Sequence, residues 1–371
     1  APGQRYSDAL DIVLEDSGTD AVLVLNCPTA VASGLEGAKA VTASAGRKKD
    51  KLTLTSWVGG ALAAEARHYL TGHGLPTYDT PEQAVRAFMY LVDYRRGQET
   101  LMEIPPASTG NFEPDIARAR SVIDLVLDEE RDWLTEPEAK AILDAYAIPV
   151  GETTVAGNVD EAVRIADETG FPVALKILSP DITHKSDVGG VALDLSDGEA
   201  VRRAADSMLA RIAQEQPEAR MSGFVVEPMI RRSGAIELIA GITIDPQFGP
   251  VVLFGHGGTA TELIDDTSLG FPPLNLKLAR ELISRTRISR QLRGYRDHAP
   301  ADVAAIALTL VKLSQLVIDF AEIVELDINP LLADADGIIA LDARIRVIRT
   351  DESPIERLAI RPYPRELEGV I

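Results

Sequence analysis

The 371 residues predict two folds in tandem: an α/β unit on a parallel sheet, then a larger α+β unit with antiparallel strand pairs. Three observations carry this. Asp20-Ala-Val-Leu-Val-Leu-Asn26 is a nearly continuous apolar run, as buried parallel strands have, and strand and helix signals alternate after it. Ile104-Pro-Pro-Ala-Ser-Thr-Gly110 reads as a turn-rich linker. Beyond it the strands lengthen and pair through tight turns, the last at Asp334-Ala-Asp-Gly337. The expected divisions are 1–103 for the first unit, 104–133 for linker and helix, 134–350 for the second unit and 351–371 for a tail.

The elements follow in order. Leu52 to Trp57 alternates as a strand and ends at Gly59-Gly60, after which Ala61 to Leu70 has helical spacing. Thr80-Pro81-Glu82-Gln83 is a capping box with proline at the first helical position, opening a helix through about Tyr94. Asp115 to Glu130 reads as a helix, and a second capping box, Thr135-Glu136-Pro137-Glu138, starts another that runs to Tyr146. Strands are expected at Pro172 to Leu178, Gly223 to Ile230, Ala235 to Ile244 and Val251 to Gly255. Ile323 to Leu332 and Gly337 to Val347 close the unit as a hairpin.

Composition bounds the function. With 46% hydrophobic and 25% charged residues, each unit can bury a sizeable core. The net charge of -20 argues against nucleic acid and anionic membrane surfaces as partners, and its plain meaning is solubility. An anionic ligand must then be held by a few local donors. No apolar run approaches the roughly 18 residues of a membrane span, and no signal peptide is visible, so a cytoplasmic protein is expected. The single Cys27 excludes an internal disulfide and fits a reducing compartment. The chain begins Ala-Pro-Gly without Met, as expected of a fragment or a processed subunit.

Four segments bear chemistry. In Ala174-Leu-Lys176-Ile-Leu-Ser-Pro-Asp181-Ile-Thr-His184-Lys185-Ser-Asp187-Val-Gly189-Gly190, a buried strand delivers Lys176 and a polar loop presents His184 before two glycines return the chain to a strand. Lysine neutralises phosphate oxygens, backbone beside paired glycines approaches an oxyanion closely, and Asp181 or Asp187 can fix an imidazole tautomer. The plain alternative for His184 is a solvated loop histidine. In Glu325-Leu-Asp-Ile-Asn329-Pro330, followed by Asp342 and Arg344, two adjacent strands could bring Asn329 and Asp342 to one face as oxygen donors for Mg²⁺; the alternative is a strand end and an exposed carboxylate. Gly255-His256-Gly257-Gly258 is an anion nest or a structural turn. Glu227 and Glu237 sit in apolar strands and need partners: a nucleoside's polar edge, or a salt bridge to Arg231 or Arg232.

Together these segments resemble the NDP-forming acyl-CoA synthetases, relatives of succinyl-CoA synthetase that include the ADP-forming acetate–CoA ligases. The motifs are Ser179-Pro-Asp-Ile-Thr-His184-Lys-Ser-Asp-Val-Gly-Gly190, Asp245-Pro-Gln-Phe-Gly-Pro250 leading to Gly-His-Gly-Gly258, Gly294-Tyr295-Arg296, and Glu325-Leu-Asp-Ile-Asn-Pro-Leu331. Leu134 to Val347 looks like their ATP-grasp domain. Ser7 to Leu101 looks like the C-terminal half of their flavodoxin-like CoA-ligase domain. The resemblance implies that Lys176 contacts ATP phosphates, with Gly189 and Gly190 in the loop beside them. It sets Glu227 at the adenine edge, Glu237 in the nucleotide pocket, and Asn329 and Asp342 on Mg²⁺. His184 becomes a phosphohistidine that passes a phosphoryl group to and from ATP/ADP.

The family's CoA-binding domain and the segment with its other phosphorylatable histidine precede this part and are not visible in the sequence. The resemblance therefore implies that CoA and the carboxylic acid reach the chain through a partner subunit or a missing N-terminal domain, in an oligomer. Leu358-Ala-Ile-Arg-Pro-Tyr-Pro-Arg-Glu-Leu367 is similar to the linker that joins such a module to a GNAT acetyltransferase. A regulatory, non-catalytic module of such a fused protein is thus the alternative, and an ATP-grasp carboxylate–amine ligase a third reading.

Overall fold

The computed structural model describes residues 2–27, 32–47, 51–102, 112–182, 185–258, 265–294 and 299–361. His184, Tyr295, Arg296, the linker at 104–110 and the tail from residue 362 lie outside them. The chain divides into two units, 1–103 and 104–371. Among the described residues no helix is long and apolar enough to cross a membrane.

The described part of the first unit holds a parallel sheet in the order β1 (Ala21–Asn26), β2 (Leu52–Trp57), β3 (Thr77–Tyr78). Helices α1 (Gly3–Glu15), α2 (Gly34–Arg47), α3 (Ala64–Gly72) and α4 (Pro81–Leu101) accompany it. The parallel pairing follows from the helical crossovers between successive strands. Leu10, Leu14, Val41 and Leu70 pack with Trp57, whose indole N–H donates to the Gly34 carbonyl at 3.0 Å. At the start of α4 the Thr80 hydroxyl accepts from Gln83 N at 3.3 Å, the N-cap half of the expected box, and the helix continues a further two turns past Tyr94.

The second unit carries two antiparallel sheets. The smaller has the order β4 (Thr154–Ala156), β7 (Gly223–Pro228), β5 (Val173–Leu178), β6 (Val191–Leu195), with α7 (Val159–Thr169) and α8 (Gly198–Glu215) packed on it. The larger has the order β10 (Thr267–Gly270), β9 (Gly249–His256), β8 (Ile236–Asp245), β11 (Ile323–Asp334), β12 (Gly337–Ala340), and β13 (Ala343–Val347) also pairs with β11. Helices α5 (Ile116–Asp128), α6 (Glu136–Ala145), α9 (Leu276–Ser284), α10 (Ser289–Leu292) and α11 (Val303–Asp319) complete the unit. Through Ile306, Leu310, Leu313, Leu316 and Val317, α11 forms the spine of the larger core.

Two sequence expectations meet their physical test here. The capping box at Thr135 forms, with Thr135 N donating to Glu138 at 2.7 Å. The hairpin arm expected from Gly337 to Val347 is instead broken at Leu341-Asp342 into β12 and β13. The reason lies across the ladder: Pro330 has no N–H to give, and the pairing of β11 with β8 slips between Ile328 and Leu331. Leu341 N donates to the Pro330 carbonyl and Asn329 N to the Asp342 carbonyl, so both breaks face each other.

Beyond β13, the Arg357 guanidinium donates to the carbonyls of Val317, Phe320, Ala321 and Ile323, closing the C-terminal end of α11 and the entry to β11. Arg357→Ala should therefore lower stability by about 2 kcal/mol, read as a lower urea midpoint with an unchanged slope.

Candidate active site

The two sheets of the second unit enclose a cleft of about 440 Å³. Its walls come from β5 (Lys176) and the segment after it (Ser179, Pro180, Ile182, Lys185, Ser186), from the end of β7 (Glu227, Pro228) and Met229 after it, from β8 (Glu237), and from the facing breaks at Asn329-Pro330 and Leu341-Asp342.

Its floor is a buried ion cluster. α6 supplies Glu136 at its first position and Lys140 one turn on, with side chains 2% and 4% exposed. Glu136 Oε1 takes the Lys176 ammonium and, at 3.1 Å, that of Lys140; its Oε2 takes Lys185. Glu227 Oε1 accepts from Lys140 and, at 2.9 Å, from the Thr153 hydroxyl, while its Oε2 meets Lys176 at 2.9 Å. Burial alone would raise the Glu136 carboxyl, but Lys176, Lys185 and Lys140 outweigh it and hold the group well below the usual carboxylate range. Burial likewise opposes the charge on Lys176, yet Glu136, Glu227 and Asp342 raise its pKa above the ordinary lysine value. Lys176 is therefore a cation throughout the physiological range.

Above the cluster stand oxygen donors. Asn329 Oδ1 accepts from Gly258 N at 2.9 Å, which leaves its second lone pair for another partner. Asp342 and Glu237 reach the same cleft. An amide oxygen with carboxylates is a hard donor set that suits Mg²⁺, which is commonly held by one or two carboxylates together with phosphate oxygens. Among the described residues no group of three or more His, Cys, Asp or Glu forms a metal cage. Burial pushes the nearby Asp327 carboxyl up to about 6, with Arg344 working against the shift and Asp342 and Glu325 with it. Among the described residues, the walls carry five carboxylates (Glu136, Glu152, Glu227, Glu237, Asp342) against three cations (Lys176, Lys185, Arg344). An anion in this cleft must therefore be held by short contacts to the cations, not by the net charge of the described walls.

This geometry can be set beside known proteins. A family profile described as an ATP-grasp domain matches residues 125–347. Subunit beta of acetate–CoA ligase [ADP-forming] I from Pyrococcus furiosus is 40% identical over 230 residues, 62% of this chain and 98% of the relative. The chain belongs to the ATP-grasp family, in the branch of the ADP-forming acyl-CoA synthetases. Acetate–CoA ligase [ADP-forming] I from Archaeoglobus fulgidus is 35% identical over 347 residues, 93% of this chain, of which the chain spans about half the length, 48%. Among solved structures, acetyl-coenzyme A synthetase 1 of Ca. Korarchaeum cryptofilum matches with a TM-score of 0.54 at 36% identity, covering 62% of this chain and 100% of that one. That structure holds coenzyme A and Mg-AMPPCP, with its phosphohistidine segment pointing towards the nucleotide-binding site.

Within this synthetase-family cleft the structure brings together Lys176, Glu227, Glu237, Asn329 and Asp342. It does not bring Gly189 or Gly190 to the wall. Gly189 has φ +64°, and a Cβ there would lie 1.9 Å from Arg211; one on Gly190 would lie 2.5 Å from Ile177. These glycines serve the tight return of the chain, in which Gly190 N donates to the Lys185 carbonyl at 2.7 Å. His184 is outside the described residues, and its described neighbours Ile182 and Lys185 line the cleft. Asp181 is engaged by Arg220, which holds its carboxyl down to about 2. The salt-bridge partners considered for Glu227 and Glu237 lie elsewhere: Arg231 pairs with Asp194 and Arg232 with Asp334.

Sequence reasoning missed Glu136 as more than a capping residue, and missed Lys140 altogether. The signal was present. Lys140 falls in the buried stripe of Ala139, Ile142 and Leu143, and a lysine one turn after a glutamate on an apolar face marks a buried pair.

Two outcomes follow from the geometry. Gly258 has φ +84°, and a Cβ there would fall 2.2 Å from Glu237 Oε2. Gly258→Ala should cost roughly 1–3 kcal/mol by urea unfolding, and adding Glu237→Ala should recover part of it. The second concerns pH. The folded value of Glu136 lies below its ordinary 4.5, so its ionised form contributes stability that is present above that pH and lost as pH falls towards the folded value. The stability gap between the native chain and Glu136→Gln should be full above about pH 5 and narrow steadily below it.

Proposed function

We propose that this chain is the ATP-grasp phosphoryl-transfer module of an ADP-forming acyl-CoA synthetase, with His184 as its phosphohistidine. The observation that carries the reading is the convergence of Lys176, Glu237, Asn329 and Asp342 on one cleft whose wall also includes the residue after His184. The Korarchaeum relative, with its phosphohistidine segment directed at the nucleotide site, supports the same assignment by likeness.

In this reading an imidazole nitrogen of His184 attacks the γ-phosphorus of ATP. The N–P bond forms as the bond to the β,γ-bridging oxygen breaks, and ADP leaves with that oxygen. Lys176 neutralises phosphate oxygens, and Glu227 fixes its ammonium from 2.9 Å away. Glu227, set by family resemblance at the adenine edge, is thus committed first to orienting this lysine. Asn329 and Asp342 would hold Mg²⁺, with Glu237 beside them; the ion, when bound, offsets phosphate charge. Gly189 and Gly190, which the resemblance sets in the loop beside the phosphates, turn the chain back towards β6.

The complete reaction, acid, CoA and ATP to acyl-CoA, ADP and phosphate, needs the CoA-binding part, on a partner subunit or a further domain in an oligomer. Residues 1–103 act here as the C-terminal half of a flavodoxin-like CoA-ligase domain, and 134–350 as the nucleotide domain. ATP and CoA as substrates place this work in the cytoplasm.

Incubating the chain with Mg-[γ-³²P]ATP tests the proposal. Label that is acid-labile and base-stable is expected on the native chain, absent from His184→Ala, and slowed at least about tenfold in Lys176→Met. Native chain without label, or His184→Ala with full label, overturns it.

A further inference from the structure

Lys176 and Lys185 are the lysines that face the cleft, and one carboxylate holds both. Glu136 offers one oxygen to each, much as lysines grip two oxygens of a phosphate. With Lys140 behind them, three ammoniums meet Glu136, Glu227 and, facing Lys176, Asp342. The cluster is electrically balanced before any further anion arrives. A phosphate group that engages either cleft lysine must therefore compete with Glu136. The carboxylate can stay ionised while the lysines turn away from it, because it sits in the first turn of α6, where the helix dipole and free backbone amides favour negative charge.

We propose that Glu136 is an internal counter-anion that exchanges Lys176 and Lys185 with nucleotide phosphate and so limits nucleotide affinity and speeds product release. The inference rests on the nucleotide reading above and assigns its affinity control to a residue outside the expected ligand set. A purely structural Glu136 predicts the opposite sign: its loss would loosen the lysines and weaken binding.

The test is ADP binding to the full 371-residue chain in Mg²⁺ at fixed ionic strength, by calorimetry, with dissociation rates by stopped flow. Glu136→Gln keeps the shape and removes the charge; affinity should rise about five- to tenfold, mostly through slower dissociation. Lys140→Met, at a buried position behind the cleft wall, tips the balance the other way and should weaken binding by a similar factor. Combining the two restores the charge balance and should bring affinity back towards the native value. The combined variant also covers the case in which Glu136→Gln does not fold. A native chain that binds no ADP overturns the nucleotide reading itself. A native chain that binds ADP overturns only the counter-anion if Glu136→Gln binds no tighter, or if the combined variant binds no tighter than Lys140→Met.

Discussion

A carboxylate or an ammonium taken out of water alone is costly, and the second unit is arranged around a place where several meet. Glu136 and Lys140 come from α6, Lys176 from β5, Glu227 from β7, and Lys185 from the segment that follows β5. Glu136 and Lys140 pair within α6, but Lys176, Lys185 and Glu227 find their partners only when the other segments are in place. Removing any one leaves an uncompensated charge in the interior, which is far worse than never having buried the pair.

The rest of the site is built where regular pairing fails. A continuous β11 ladder would direct Asn329 and Asp342 into ordinary strand positions. The proline after Asn329 interrupts the donors on one strand, the facing strand breaks at Leu341-Asp342, and the side chains beside the breaks enter the cleft. The glycine turn after β9 completes this side. Its left-handed Gly258 gives an amide to Asn329 and leaves room for Glu237 that no other residue would leave.

Charge explains how an acidic protein can handle an anion. The chain carries -20 overall, and the cleft walls hold more carboxylates than cations. Long-range attraction therefore contributes nothing to phosphate capture. Under the proposed function, recognition comes from short contacts: lysines already oriented by buried carboxylates, and the oxygen donors Asn329 and Asp342 that would hold a divalent ion. Such a site discriminates by geometry, since an anion that cannot reach the floor meets only repulsion.

Much of this was legible in the residue string. Alternating strand and helix signals, capping boxes at Thr80 and Thr135, and the apolar strand ending in Lys176 are local features, set by backbone propensity and the period of burial, so the mixed α/β architecture could be read directly. The motifs around His184 and Asn329 carried the family. What the tertiary structure alone decided is partnership. That Lys176 is gripped by Glu136 and that Glu227 answers Lys140 instead of Arg231 or Arg232 depend on contacts between segments 40 and 87 residues apart. Propensity has no range over such separations; only packing brings those charges within reach of each other.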